Sequence, residues 1–265
     1  MRRRKFREIV YFVFTAGYGV AILISGLASA CLKADPSNLQ GFWAFFVSPL
    51  KWTQDRAWII LMVLAVYILV AEVVRKTMGP PWVWRAIHNL LDIIQEYAFR
   101  DHADAMLHDH RVTLFKYVKW RVCFRRWPWS GWLLPVERSG HTTRSKVAIF
   151  RAPDDAAHAE GIAGAAWASR GAVPVLGLPD LEHDSTDENI RAYAEKTFVS
   201  EEWVKKYLAA GKPLALSFVG VPVEVNGKRW GVIVLDSKSD IHSGPTVLRL
   251  YTLFSRMLGE LLERT

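Results

Sequence analysis

From Ile9 to Leu32 the chain carries no charged side chain. About 20 apolar helical residues cross a hydrocarbon core ~30 Å thick, so this run is long enough to span a membrane. A second span, Ala57 to Val74, is less uniform because it holds Glu72. Arg75 and Lys76 follow directly, so the carboxylate is expected to reach the headgroup layer; the alternative is a pore or a partner helix. These spans assign residues 1–78 to a two-helix transmembrane hairpin and leave 79–265 for one soluble domain with a full core.

Charge sharpens the division. Residues 1–78 hold 10 Lys/Arg against 4 Asp/Glu, and residues 79–265 hold 24 against 22. The basic excess therefore belongs to the membrane end, and the soluble part lacks the footprint of a nucleic-acid binder. Arg2, Arg3, Arg4, Lys5 and Arg7 precede the first span, and Arg75, Lys76 and Arg85 follow the second. The positive-inside rule then places both ends of a multi-pass protein in the cytoplasm. The connecting loop is short, and Phe42, Trp43, Phe45, Phe46 and Trp52 fit an interfacial belt better than a folded receptor. A cleaved leader, with Ala28-Ser29-Ala30 as its site and Cys31 after it, would need an apolar core shorter than this one. Cys31 and Cys123 offer no disulfide framework or metal pair and are expected as free thiols.

Gly17, Ala21, Ser25 and Ser29 recur every four residues on one face of the first span. Small side chains at that spacing let another helix approach closely, so they are the expected oligomerisation seam; the plainer account is that such residues are common in membrane helices.

Gly79-Pro80-Pro81 stops the second helix. Ile87, Leu90, Leu91, Ile94 and Tyr97 then mark an amphipathic helix running to about His108. Strands are expected over 111–121, 131–138 and 146–151, neighbouring and antiparallel. A helix over 160–170 has Gly161 and Gly164 for close packing and Gly171 as its stop, before a short strand at 173–176. One or two helices follow over 189–210. Asn226-Gly227 between apolar runs is a hairpin signal, and 247–262 closes as an amphipathic helix.

Gly161-Ile-Ala-Gly164, Pro174-Val-Leu, Val221-Pro-Val-Glu-Val-Asn-Gly227, Gly231-Val-Ile-Val-Leu-Asp-Ser237 and His110-Arg-Val-Thr-Leu-Phe115 together resemble a GAF domain over about 85–265. That resemblance implies an α+β fold, a central antiparallel sheet flanked by helices, with a small-molecule pocket on one face. It also places Arg144, Lys146 and Arg151 near Trp167 and Tyr193 around the ligand, a set suited to an anionic, stackable molecule such as a nucleotide or cyclic nucleotide. An ordinary basic strand beside core aromatics explains the same residues one by one. Of the Asn-Lys-Phe-Asp-Glu signature of cyclic-nucleotide GAF domains, only Asn189, Lys196 and Phe198 have echoes, and no cysteine is placed to hold a bilin. No cofactor is expected.

His102, His108 and His110 with Asp101, Asp104 and Asp109 match no common metal spacing, and no nucleophile motif or paired-carboxylate arrangement appears, so neither a metal site nor an enzyme is expected. Arg125-Arg126-Trp127-Pro128-Trp129 fits a loop touching headgroups. With no output module after the GAF-like part, the output is expected to be the membrane segment itself or another protein. In plan the chain resembles bacterial effectors that answer a nucleotide messenger of phage infection by assembling and disrupting the inner membrane. The expected partners are the lipid bilayer, a small-molecule ligand and further copies of the chain. The alternatives are a sensory or adaptor subunit regulating a separate protein, and an adaptor with a vestigial pocket.

Overall fold

The computed structural model describes residues 2–35, 45–99, 110–119, 131–139, 149–152, 155, 158–182, 185–238 and 245–264. The chain separates into two compact units, Met1–Trp84 with Arg264–Thr265, and Arg85–Glu263.

The first unit is built from α1 (Arg2–Lys33) and α2 (Val47–Met78). Both are long and apolar enough to span a membrane. They pair antiparallel: Phe14 stacks on Tyr67 with ring centroids 6.2 Å apart, Arg75 lies 5.0 Å from the centroid of Tyr18, and Gln54 Nε2 donates to the carbonyls of Cys31 and Ala34, each at 2.8 Å. The Gln54 amide thereby caps the C-terminal end of α1, where the Cys31 carbonyl also accepts from the Ala34 N–H at 3.2 Å. Alanines fill the seam, with Ala21, Ala28, Ala57 and Ala71 buried, while large side chains point outward: Trp58 is 67% and Leu27 66% exposed. Small residues inside and large apolar residues outside reverse the order of a water-soluble hairpin. Glu72 sits 3.5 Å from both Arg75 and Lys76, at the charged end of α2.

Of the four small residues on α1, Gly17 faces α2 of the same chain, where a Cβ would run into the Tyr67 hydroxyl, and Ala21 is buried in this unit. Ser25 is half-buried and Ser29 exposed.

The second unit is the α+β fold that the GAF resemblance implied. Its elements are α3 (Pro81–Ala98), β1 (His110–Val118), β2 (Trp132–Arg138), β3 (Phe150–Arg151), α4 (Gly161–Ser169), β4 (Val173–Val175), α5 (Asp187–Thr197), α6 (Glu201–Ala209), β5 (Ser217–Val225), β6 (Lys228–Ser237) and α7 (Pro245–Glu263). The strands form one six-stranded sheet in the order β3-β2-β1-β6-β5-β4. Every neighbouring pair is antiparallel.

Pleat alternation divides the sheet's side chains between two helical layers. Phe115, Leu133, Val232 and Val234 pack under α4 with Ile162, Ala163, Ala166 and Trp167. Gly220 of β5 completes this contact, because a Cβ there would lie 2.8 Å from Ala166 Cβ and 2.9 Å from Ile162 Cγ2. The opposite face carries α3. The His110 ring stacks on Phe99 at 4.1 Å, Gln95 Nε2 donates to the His110 carbonyl at 2.8 Å, and His88 of α3 lies 3.3 Å from Glu137 of β2. Tyr97 and Phe254, with centroids 6.1 Å apart, bring α7 beside α3.

Local signals explain most element ends. Thr186 caps α5 by accepting from the Asn189 N–H at 3.4 Å, and Ser200 caps α6 by accepting from the Trp203 N–H at 3.2 Å. Asn226 and Gly227 both take positive φ, +52° and +69°, the requirement of a two-residue hairpin turn with right-handed twist. Helix α4 ends differently from the sequence expectation. The left-handed residue that stops it is Arg170, at φ +58°, and not Gly171. The helix expected to run to about His108 is described as far as Ala98; His102 and His108 lie outside the described residues, as do Cys123, Arg125–Trp129, Phe42 and Trp43.

Candidate functional site

Between the α4 face of the sheet and the layer of α5 and α6 lies a cavity of about 400 Å³. Small-molecule sites run from about 300 to 1,000 Å³, so it is of ligand size. Its sheet side is set by register. Arg111 pairs with Asp236 across β1 and β6, and Thr113 pairs with Arg138 across β1 and β2. Positions 111 and 113 share a face, so both arginines and Asp236 emerge on the cavity side. The other side is supplied by α5 through Tyr193 and Thr197, by α6 through Trp203, Lys206 and Tyr207, and by Lys212 in the connection to β5.

The polar groups are tied to one another. Arg111 Nε donates to Asp236 Oδ2 at 2.6 Å, and Nη2 donates to the same oxygen. The charge of Asp236 holds the Arg111 guanidinium above its ordinary range. Arg138 Nε donates to Thr113 Oγ1 at 3.0 Å; burial, and after it the cation of Arg111, pull Arg138 below its ordinary value. The Tyr193 hydroxyl donates to the Ala215 carbonyl at 3.0 Å, and burial, reinforced by Asp236, pushes this phenol well up. Trp203 and Tyr207 stack with centroids 4.8 Å apart, and Lys212 Nζ lies 5.3 Å from the Tyr207 ring.

Among the residues proposed from sequence, Tyr193 lines this cavity. Trp167 is 3% exposed inside the α4 core, stacked on Tyr117 at 4.3 Å with the Arg229 guanidinium 4.5 Å from its ring. Arg151 is exposed on edge strand β3, and its N–H donates to Glu160 Oε2 at 3.1 Å. Arg144 and Lys146 lie outside the described residues. Arg111, Arg138, Asp236, Lys206 and Lys212 were missed. The available signal is a charged residue at a largely buried strand position, Arg111 in β1 and Asp236 after the apolar run 232–235 of β6, which a half-buried strand tolerates only with a partner.

The buried phenols make stability depend on pH. Burial raises both Tyr193 and Tyr251. The unfolded chain releases these protons near the ordinary value of 10.0, whereas the folded chain keeps them. Stability is therefore intact below pH 10 and falls as pH rises beyond it. Urea midpoints measured from pH 8 to 11 are expected to drop above pH 10, with a shallower drop in Tyr193→Phe; identical slopes would show that Tyr193 ionises freely in the fold.

No family model matches this chain, and no curated protein matches it. Among solved structures it is similar to a GAF domain region from Geobacter sulfurreducens PCA, at 12% identity over 73% of this chain and 99% of that one, TM-score 0.43. It is also similar to a type II free methionine-R-sulfoxide reductase from Thermoplasma acidophilum, at 13% identity over 68% and 94%, TM-score 0.39. The GAF domain of an Acinetobacter phosphoenolpyruvate-protein phosphotransferase gives 17% identity over 68% and 87%, TM-score 0.38. At these identities no residue's role carries across.

Proposed function

We propose that the chain is a membrane-anchored, non-catalytic sensor whose GAF-like unit takes a small anionic molecule of nucleotide type. Ligand-driven self-association then acts through α1 and α2, in the manner of a bacterial anti-phage effector that disrupts the inner membrane. The observation that carries this reading is the cavity lining, in which Arg111, Arg138, Lys206 and Lys212 stand against one carboxylate, Asp236. Such an excess of cations favours an anion, and the aromatic wall favours a ring. The outward-facing apolar side chains of α1 and α2 support the anchor.

The test uses purified full chain in dye-loaded liposomes with a panel of linear and cyclic nucleotides. A ligand should raise the thermal midpoint, since a hundredfold excess over its dissociation constant contributes ~2.7 kcal/mol, and should release dye. Because Gly17 and Ala21 sit within the hairpin, the outer part of the seam is the cleaner target. Ser25→Leu with Ser29→Leu is expected to abolish dye release while leaving the thermal shift intact; undiminished release removes the seam from the mechanism. A panel with no thermal shift removes the sensor.

The occupation of Gly17 and Ala21 within one hairpin also favours a second reading, in which the helices only anchor a sensory or adaptor subunit that regulates a separate protein. Ligand binding without dye release, together with a co-purifying partner, would select it.

A further inference from the structure

Four basic residues and one acidic residue line the cavity, a formal excess of three positive charges. These charges fall in two groups. Arg111 and Arg138 rise from neighbouring strands β1 and β2 on the sheet side, held in place by Asp236 and Thr113. Lys206 and Lys212 come from α6 and the turn after it. On that same wall the Trp203 and Tyr207 rings lie within 19° of parallel, and Trp203 remains 40% exposed. A stacked aromatic pair left partly open beside cations is a platform on which a further flat ring can lie.

We propose that Arg111 and Arg138 form an anion seat for the phosphate of a phosphomonoester, whose planar ring lies against Trp203 and Tyr207. This rests on the reading of the cavity as a ligand site. Guanidinium forks match phosphate oxygens two at a time, which ammonium groups do not. A phosphomonoester carries between one and two negative charges at neutral pH, which suits an excess of three better than a single carboxylate does. A cavity of about 400 Å³ accommodates one nucleotide-sized molecule and no folded peptide. Asp236 has a defined part in the seat. It orients Arg111 and competes with the incoming anion for it, so Asp236→Asn strengthens binding of the phosphomonoester.

The probes are adenosine monophosphate, adenosine and inorganic phosphate, titrated calorimetrically against the full chain in nanodiscs, in a phosphate-free buffer. Adenosine monophosphate is expected to bind at least about tenfold more tightly than adenosine, the effect of one or two charge-assisted hydrogen bonds, and inorganic phosphate is expected to compete with it. Arg138→Gln and Arg111→Gln reduce the monophosphate to the affinity of adenosine. Because a sheet arginine can also support folding, Lys206→Gln with Lys212→Gln provides a variant on the α6 side; it weakens the monophosphate severalfold and flattens its salt dependence. Equal affinities for adenosine and its monophosphate, no monophosphate binding at millimolar concentration, or phosphate that does not compete each overturn the seat. Those failures leave the sensor reading to the wider nucleotide panel, whose own failure is the absence of any thermal shift.

Discussion

Gly231→Ala is expected to destabilise the GAF-like unit by about 3 kcal/mol, the upper part of the range for overpacking a filled core. Gly231 lies in β6 between Lys116 of β1 and Val223 of β5, so it is hemmed in on both sides. A Cβ there runs into the carbonyl oxygen of Phe115 and comes within 3.0 Å of its carbonyl carbon. Those are backbone atoms of an adjacent strand, and no rotamer change can move them aside. Relief requires opening the β1–β6 ladder that carries Arg111 and Asp236 into the cavity, so ligand binding should weaken with stability. With total stabilities of about 5–15 kcal/mol, the loss lowers the melting midpoint by roughly 6–12 °C. Gly171→Ala is the control, because its Cβ meets nothing closer than the Ser169 carbonyl at 3.9 Å. Differential scanning calorimetry decides: equal midpoints for the two variants would show that β1 yields at Phe115.

Trp167→Ala is expected to cost about 4 kcal/mol, as large-to-small changes in aromatic cores do. The indole is buried by Ile162, Ala163, Ala166 and Val232, stacked on Tyr117 and covered by Arg229. Its carbonyl also accepts from Arg229 Nη1 at 3.1 Å, so the ring and backbone of one residue share a guanidinium. Trp167→Phe keeps the stacked surface and should recover more than half of the loss, measured by urea unfolding. A larger effect on adenosine monophosphate affinity than on stability would instead bring the indole into contact with ligand.

How far the sequence reveals this molecule depends on the range of each interaction. The β5–β6 hairpin was legible from Asn226-Gly227 because a two-residue turn is a local event, and the caps Thr186 and Ser200 act within one helical turn. Two helices over 187–209 were within reach for the same reason. The cavity was not, since its defining pair, Arg111 and Asp236, is separated by 125 positions and meets only because β1 and β6 are neighbours. Alternation shows that Arg111 and Thr113 share a face, but which helices cover that face is a property of the whole fold. Trp167 illustrates the converse: an aromatic that the GAF resemblance placed near Arg144, Lys146 and Arg151 is a core residue in space. The four-residue period from Gly17 to Ser29 was legible, whereas the helix that meets Gly17, α2 of the same chain, was not.

The His110–Ser237 pair gives the sheet a property that neither face has alone. On β1 the consecutive residues His110 and Arg111 point to opposite layers, and on β6 Ser237 and Asp236 do the same. His110 Nδ1 and Ser237 Oγ are 2.6 Å apart on the α3 side, and Arg111 is bound to Asp236 on the cavity side. The two cross-strand pairs are thus back to back, one peptide unit apart on each strand, with no flexible segment between them. Because His110 also stacks on Phe99 and its carbonyl accepts from Gln95, the residue next to Arg111 on β1 is tied to the helix layer on the opposite face of the sheet.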